Sequence, residues 1–337
     1  MKKLILKSLS ESENAIYKGM KDEIVSVTGV GVAVHDGVKD GGTVLREPTA
    51  VNDNILRNGN FTVTQNGTVF TGNSGSATYT IDGWFIAHNG GSTSNIAKLD
   101  KGVRVTCLSG GLASSFSRFV QTAGLPAALS GKTVTLSFRA KSSQGLSISS
   151  ECFITGGGVK YLDRFDLTTQ FETYTVTFEV PNYTESSVAT DSFKLSFWLE
   201  AGDDWNTRTG GILAQDNTVD FEFIKLEYGS AATENTYNQL EEARKVKTHF
   251  EKNEPTLVPV LMQNISIFGS TNADVYTTIN YAEPKWKSVT PTITTEHTSS
   301  SAVYSVGLSN FSVLGVWNET SGSARVTGWT CDAEILP

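Results

Sequence analysis

The chain has 337 residues, of which 18% are charged, and it contains 31 glycines, a profile typical of many strands joined by tight turns rather than of a helical protein. Its net charge of −8 argues against a nucleic-acid binder, which needs a basic surface to neutralise phosphates. It has no run of about 18 apolar residues, so no segment is expected to insert into a membrane.

The three cysteines, Cys107, Cys152 and Cys331, are odd in number and far apart, without C-x-x-C spacing. This pattern predicts buried, reduced thiols in a protein made in the cytoplasm. The basic start of the chain is followed too soon by charged residues for a signal peptide, so we interpret it as mature sequence.

The first predicted domain comprises residues 1–52. Apolar runs at 24–27 and 30–34 predict short strands, and residues 35–42 a turn-rich hairpin. So short a segment does not close a core alone, so we expect it to pair with other chains or with another protein. Residues 43–51 are predicted to be a linker. The residues expected to take part in this attachment are Val32, Val34, His35 and Asp36.

The second predicted domain, residues 53–230, reads as one antiparallel β-sandwich. Its first strand is placed at 54–61 (NILRNGNF), and Trp84 and Trp198 are expected in the core. Alternation of apolar and polar residues at 133–139 and 172–180 predicts one face in the core and one toward water. The remaining predicted strands are 103–107, 193–199 and 219–226.

A connecting helix is predicted in the segment 231–254, and a second β domain in residues 255–337. The helix is expected at 236–252, capped by Asn235 or Thr236. The residues expected on its apolar face are Leu240, Ala243, Val246 and Phe250. The second β domain has strand-like runs at 289–294 and 312–317.

No motif in the chain predicts catalysis. The four histidines lack a metal-binding spacing, and neither a G-x-S-x-G elbow nor a P-loop occurs. Asp203 and Asp204 are an acidic pair beside Trp205, but such pairs are common in surface loops. We therefore predict that the protein is not an enzyme and requires no cofactor.

The segment 202–208 (GDDWNTR) has the composition of a sugar contact. An aromatic ring offers an apolar face to the C–H groups of a pyranose, and neighbouring amides and carboxylates bind hydroxyls. The alternative is that Trp205 folds back onto the sandwich edge. The candidate glycan-binding residues are Trp205, Asp203, Asp204, Asn206 and Arg208.

Three motifs together resemble bacteriophage tail fibres and receptor-binding proteins. They are residues 225–233 (KLEYGSAAT), residues 326–335 (VTGWTCDAEI) and residues 32–42 (VAVHDGVKDGG). Residues 54–61 are similar to the first strand of jelly rolls of the carbohydrate-binding-module type. The resemblance implies tandem jelly-roll-like β domains in a homotrimer.

On this resemblance, residues 1–52 would attach the trimer to a virion tail, adaptor or baseplate protein. The protein would be made in the host cytoplasm and would bind a host-surface glycan or protein. Its C-terminal tip would contact the receptor through Trp286, Tyr304 and Trp317. A structural Ca²⁺ at Asn58, Asn60 and Asp220 is also implied. The alternatives are a carbohydrate-binding module, free or accessory to an enzyme, and a head-fibre or baseplate protein built from the same modules.

Overall fold

The computed structural model describes residues 54–249, except 76, 124–125 and 186–191, and, outside this range, the backbone of the strands given below. The chain divides into two compact units, Met1–Asp53 and Asn54–Pro337. The further domain boundaries proposed within the second unit stay predictions.

The first unit contains a four-stranded sheet in the order β1-β2-β3-β4. Its strands are β1 (Lys7–Leu9), β2 (Ile24–Val27), β3 (Gly31–Val34) and β4 (Thr43–Arg46). β1 is parallel to β2, and the other pairs are antiparallel.

Two of these strands were predicted, and one corrects a prediction. β2 and β3 confirm the strands expected at 24–27 and 30–34, and Val32 and Val34 lie in β3. The linker prediction is wrong for Thr43–Arg46, because this apolar segment pairs with β3 and places Leu45 opposite Val32. His35 and Asp36 lie outside the described residues.

Two six-stranded antiparallel sheets form the β-sandwich of the second unit, which confirms the predicted fold class. Sheet I has the order β13-β12-β15-β10-β7-β6, and sheet II the order β14-β11-β16-β9-β8-β5. The strands are β5 (Val69–Asn73), β6 (Thr78–Tyr79), β7 (Phe85–Asn89), β8 (Thr93–Lys98), β9 (Val103–Leu108), β10 (Phe116–Ala123), β11 (Thr133–Ser142), β12 (Ser147–Ile154), β13 (Gly158–Asp166), β14 (Glu172–Glu179), β15 (Phe193–Ala201) and β16 (Asn217–Tyr228).

The hydrophobic core lies between the two sheets. Alternate residues of β15 point into it, and Phe193, Leu195 and Phe197 are fully buried. Trp84 stacks on Phe119 with ring centroids 4.7 Å apart, so the prediction that Trp84 belongs to the core is confirmed.

The predicted first strand at 54–61 is wrong, because this segment has no regular strand structure. Two backbone hydrogen bonds tie it to β16, from the Ile55 N–H to the Leu226 carbonyl and from the Ile224 N–H to the Gly59 carbonyl (both 2.8 Å), while side chains bind the N–H groups between them. The Arg57 N–H donates to Gln121 Oε1 (2.7 Å) and the Asn58 N–H to Glu242 Oε2 (2.7 Å). The Asn54 amide bonds the Ile224 carbonyl and the Leu226 N–H, in the manner of an additional strand residue.

The described helices are short. They are α1 (Pro126–Leu129), a 3₁₀ turn (Asp203–Trp205), α2 (Asn206–Thr209) and α3 (Gln239–Lys247). None of the helices in the described part of the chain is long and apolar enough to cross a membrane.

Helix α3 is the predicted connecting helix, but its limits and buried face differ from the prediction. Asn238 caps it by accepting hydrogen bonds from the Leu240 and Glu241 N–H groups. Glu242 and Val246 are buried, whereas Leu240 is 75% exposed. The helix is orientated by polar contacts, because Glu242 binds the Asn58 N–H and Lys245 Nζ donates to the Asn54 carbonyl (3.1 Å). Phe250, predicted to be helical, begins a strand.

The rest of the described chain forms two further sheets. One has the order β17-β24-β18, with β21 also paired to β24, and the other the order β19-β20-β23-β22. The strands are β17 (Phe250–Asn253), β18 (Val260–Leu261), β19 (Gln263–Asn264), β20 (Asp274–Asn280), β21 (Thr292–Glu296), β22 (Thr298–Val306), β23 (Asn310–Trp317) and β24 (Arg325–Asp332).

The three residues predicted to contact a receptor fall in or near these sheets. Tyr304 lies in β22 and Trp317 ends β23, while Trp286 lies outside the described residues. The structure gives no account of their side chains, so their role as receptor contacts stays a prediction.

Candidate functional site

Two adjoining depressions lie on the outer face of sheet II, and we call them together the groove. Their volumes are about 340 and 370 Å³, and they share Glu222, Phe223 and Asn235. Each is within the size range of small-ligand sites, which begins at about 300 Å³. The first depression is also lined by Asn60, Thr62, Asp100, Lys101 and Tyr237, and the second by Ser137, Thr173, Ala232, Thr233 and Glu234.

A β-bulge in β16 creates the floor of the groove. The pairing of β11 with β16 shifts between Arg139 and Ala140, which face Phe223 and Phe221, so Glu222 is an additional residue. A bulge changes the direction of the side chains around it, and both Glu222 and Phe223 line the groove. Arg139 Nε fixes the Glu222 carboxylate through a 2.7 Å ion pair.

The segment 229–235 forms one wall of the groove, and the KLEYGSAAT motif explains how it is held. Lys225 and Glu227 are two residues apart, so they share the outer face of β16, where they form a buried ion pair of 3.2 Å. Lys225 Nζ donates to Thr233 Oγ1 (2.6 Å), and Glu227 accepts from the Thr233 N–H (2.8 Å). These bonds to Thr233 hold the segment that follows the Gly229 turn against the outer face of sheet II.

This wall also corrects the expectation that the outer face of β11 is exposed to water. Thr135 and Ser137 are 1% and 2% exposed. Thr135 Oγ1 donates to the Gly229 carbonyl (2.8 Å), at the start of the covering segment. The predicted alternation in 133–139 is therefore present, but both faces of the strand are buried here.

The groove combines an exposed aromatic ring with amides and carboxylates. The Tyr237 side chain is 52% exposed. Asn60 and Asn235 are joined by a 2.7 Å hydrogen bond between their amides. Asp100 and Lys101, from the turn between β8 and β9, lie on the other side of the first depression. Such a surface can stack on the apolar face of a sugar ring and exchange hydrogen bonds with its hydroxyls.

The charges of the groove favour neutral over anionic ligands. Three carboxylates line it, those of Asp100, Glu222 and Glu234. Lys101 is the cation that lines it, and Arg139 neutralises Glu222 from beside it. An anionic ligand would meet uncompensated carboxylates, which is unfavourable.

A third depression of about 180 Å³ lies farther along β11 and β16, lined by Arg104, Lys141 and Asp220, among others. Asp220 accepts two hydrogen bonds from Arg104 (2.7 and 2.9 Å), and Lys141 Nζ lies 3.8 Å away. Its carboxylate is therefore held by two cations.

The three predicted calcium ligands are engaged with separate partners. The Asn58 amide donates to the carbonyls of Val63 and Asp82, and Asn60 lies in the groove. The described residues contain no group of three or more His, Cys, Asp or Glu side chains arranged to hold a metal ion. Calcium binding at Asn58, Asn60 and Asp220 stays a prediction.

The predicted glycan loop lies over the outer face of sheet I, and its tryptophan packs inward. Trp205 Nε1 donates to the Ser114 carbonyl (3.1 Å), and its ring contacts Trp198 and Phe116 at centroid distances of 5.4 and 5.0 Å. Trp198 is fully buried there, on the outer face rather than in the main core.

The other predicted residues of this loop divide into two groups. Asp203, Asp204 and Asn206 are exposed. Arg208 makes two hydrogen bonds to Glu151, of 2.6 and 3.0 Å. This geometry matches the alternative in which Trp205 folds back, and glycan binding by the loop stays a prediction.

Sequence reasoning missed the groove. Tyr237 lies in the segment predicted to be helical, 236–252, and Phe223 in the predicted strand 219–226. The sequence does carry one indication of the wall. Lys225 and Glu227 lie on the same face of a strand, and Thr233 follows the glycine turn at Gly229, a pattern that indicates a chain reversal over the sheet. Nothing in the sequence indicated the bulge at Glu222.

No protein-family model matches the sequence, and no curated protein matches it. Among solved structures, the chain is similar to the N-terminal cellulose-binding domain of a Cellulomonas fimi β-1,4-glucanase C (18% identity, 44% of this chain, 91% of that chain, TM-score 0.32). It is also similar to a CBM4 protein (20%, 52%, 99%, TM-score 0.35). A third similar structure is the enzymatically active domain of bacteriophage CBA120 tailspike protein 4 (12%, 52%, 21%, TM-score 0.29). At these identities and TM-scores, the similarity says nothing about what this chain binds.

Proposed function

We propose that the protein is a non-catalytic adhesin that binds a neutral glycan in the groove of sheet II. The observation that carries the proposal is the meeting of the exposed Tyr237 ring, the joined amides of Asn60 and Asn235, and fixed carboxylates on one surface. These groups supply an apolar platform, hydrogen-bond donors and acceptors, which is the chemistry of sugar recognition.

The biological setting of the proposal is a bacteriophage tail fibre or receptor-binding protein. Its support is the set of sequence motifs at 32–42, 225–233 and 326–335. In this setting the chain acts as a homotrimer, with residues 1–52 on a virion protein and the rest toward the host surface. Several copies on one particle strengthen weak sugar contacts, because later contacts become effectively intramolecular.

Replacement of Tyr237 by alanine tests the proposal. The full-length protein would be screened on an array of neutral and acidic bacterial-surface glycans, and its affinity for the best neutral ligand measured by calorimetry. We expect Tyr237→Ala to weaken binding about tenfold, since a ring stacked on a ligand contributes roughly 1–2 kcal/mol.

The matched control is Tyr228→Ala, a tyrosine of comparable exposure (41%) that lines neither depression. It is expected to keep wild-type affinity. Equal losses in both variants, or a folded Tyr237→Ala protein with unchanged affinity, would remove the groove as the glycan site.

A further inference from the structure

Three cations and one carboxylate lie close together on the outer face of sheet I. Arg118 of β10 and Arg208 of α2 share one carboxylate, that of Glu151, at 3.3 and 2.6 Å. Lys194 of β15 has no carboxylate partner among the described residues, and its ammonium lies 5.3 Å from the centroid of the Phe153 ring. Three positive charges therefore meet one negative charge.

Strand register places Arg118 and Lys194 on either side of a small residue. Arg118 pairs with Trp198 and Thr122 pairs with Lys194, so Ser196 lies between the two cations on the same face, flanked by Val120 of β10 and Glu151 of β12. Four residues along a strand span about 14 Å, a distance that an extended arginine and an extended lysine bridge from opposite sides. We call the surface formed by Arg118, Ser196 and Lys194 the cationic cleft.

Several buried polar atoms around the cationic cleft have no hydrogen-bond partner. They are Arg118 Nε, Trp198 Nε1, Thr122 Oγ1 and Ser149 Oγ. Ser149 and Arg118 both pair with Trp198, so these atoms lie on three adjacent strands of one face. Buried polar atoms are almost always bonded, so these four atoms beneath the cleft are an unusual concentration of unsatisfied polar groups.

The surroundings of Arg118 and Lys194 also disfavour the charged forms of both side chains. Burial lowers the pKa of Arg118, and Arg208 lowers it further. Burial also lowers the pKa of Lys194, and Arg118 adds to that effect. A bound anion would offset both the repulsion and the loss of hydration.

We propose that the cationic cleft binds the carboxylate of an acidic sugar such as a hexuronate. The carboxylate would lie between Arg118 and Lys194. The Phe153 ring and the Tyr161 ring, which is 37% exposed on the next strand, would contact the apolar face of the sugar. An inorganic oxyanion has no such face, and this favours a carboxylated sugar over phosphate. The site goes beyond the proposed function, because it lies on the other sheet from the groove and selects the opposite charge.

Calorimetric titration of the full-length protein tests the proposal, with D-glucuronate, D-glucose and inorganic phosphate as probes. We expect glucuronate to bind more tightly than glucose or phosphate. Lys194→Gln should weaken glucuronate binding about tenfold, because it removes the charged donor on one side of the carboxylate. Lys132→Gln, which removes the same charge from an exposed residue outside the cleft, should leave it unchanged.

Three results would overturn the proposal. They are no glucuronate binding by the folded protein, phosphate binding without glucuronate binding, and equal glucuronate affinity in Lys194→Gln and the wild type. Arg118→Lys serves as a second variant, because it keeps the charge but removes the Nε donor. Neutral-glycan binding and its loss in Tyr237→Ala are measured in parallel, so failure of the cleft and failure of the groove are distinguished.

Discussion

Asp82 and His88 are buried ionisable residues of the sandwich whose effects on stability oppose each other. Burial raises the pKa of Asp82 to about 6, although hydrogen bonds from Asn66 and Gln65 lower it in part. Burial lowers the pKa of His88 to about 4, against a smaller opposing effect of the Gly75 backbone. The pKa of Asp82 is about 6 in the fold against 3.8 in the unfolded chain, and that of His88 is about 4 against 6.5. The two residues therefore affect stability over nearly the same range of pH.

The signs follow from which state binds protons more readily. Folded Asp82 takes up its proton near pH 6 and the unfolded residue only near 3.8, so this residue makes the fold more stable as the pH falls across that window. Unfolded His88 takes up its proton near pH 6.5 and the folded residue only near 4, so it makes the fold less stable over almost the same window. Each effect amounts to about 3 kcal/mol.

Substitution of one of the two residues should therefore leave the effect of the other on the pH dependence of stability unopposed. We expect the melting temperature of Asp82→Asn to fall more steeply than that of the wild type between pH 6.5 and 4, and that of His88→Gln to rise relative to it. Calorimetric melting at half-unit pH steps measures both. Burial also raises the pKa of Glu200, but this residue is common to all three proteins and cancels in the comparison. Parallel curves for the three proteins would contradict the assignment.

Helix α3 is fixed to the start of the sandwich by two polar residues. Glu242 accepts a hydrogen bond from the buried Asn58 N–H and also forms an ion pair with Lys245 at 3.2 Å. Lys245 donates a hydrogen bond to the Asn54 carbonyl. A backbone N–H that loses its acceptor in a buried place costs about 1–3 kcal/mol. The contact is therefore expected to contribute measurably to stability, although the helix has nine residues.

Replacement of Glu242 by alanine should lower the free energy of unfolding by about 2 kcal/mol, because Asn58 loses its acceptor. Glu242→Gln keeps a side-chain oxygen for the Asn58 N–H and should lose less than half as much. Urea denaturation followed by tryptophan fluorescence measures both values. Equal losses in the two variants would show that the charge, not the hydrogen bond, holds the helix.

Elements with regular apolar alternation could be predicted from the sequence, and those built by polar side chains could not. β9, β14, β15 and β16 follow from their apolar runs. β12 (SISSECFI) was missed because serines occupy several of its buried positions. The sequence does not predict the conformation of 54–61, because this segment bonds β16 at Ile55 and Gly59, while Gln121 and Glu242, distant in sequence, bind the N–H groups of Arg57 and Asn58.

The candidate sites depend even more on long-range placement. The groove joins Asn60, Asp100, Glu222 and Tyr237, which are separated by up to 177 positions in the chain. The cationic cleft depends on the register of three strands. Aromatic residues beside acids, the signal that indicated Trp205, are equally compatible with packing against Trp198.

The molecule as a whole carries a net charge of −8, yet cations cluster at one place on its sandwich. Carboxylates line the groove of sheet II, while sheet I carries three cations around one glutamate. On the two proposals, one domain would offer separate surfaces for neutral and for acidic sugars. A surface polysaccharide that contains both kinds of residue would satisfy the two together.

Assembly is the property of the whole molecule that bears most on the adhesin proposal. The four-stranded sheet of residues 7–46 is small, and we expect it to gain stability from other copies. Light scattering of the full-length chain should give three times the mass of 36.3 kDa. A single-chain mass at all concentrations would exclude the free trimer and favour the alternative of a carbohydrate-binding module that works as a monomer.

The pairing of Asn54 with Ile224 and Leu226, together with the Glu242 and Lys245 contacts, brings the two ends of the sandwich side by side. Tension that enters at residue 54 and leaves through helix α3 therefore passes through these few bonds and does not load the strands between them. On the adhesin proposal, a particle tethered by this protein would be dragged by flow without distortion of the proposed sugar-binding surfaces.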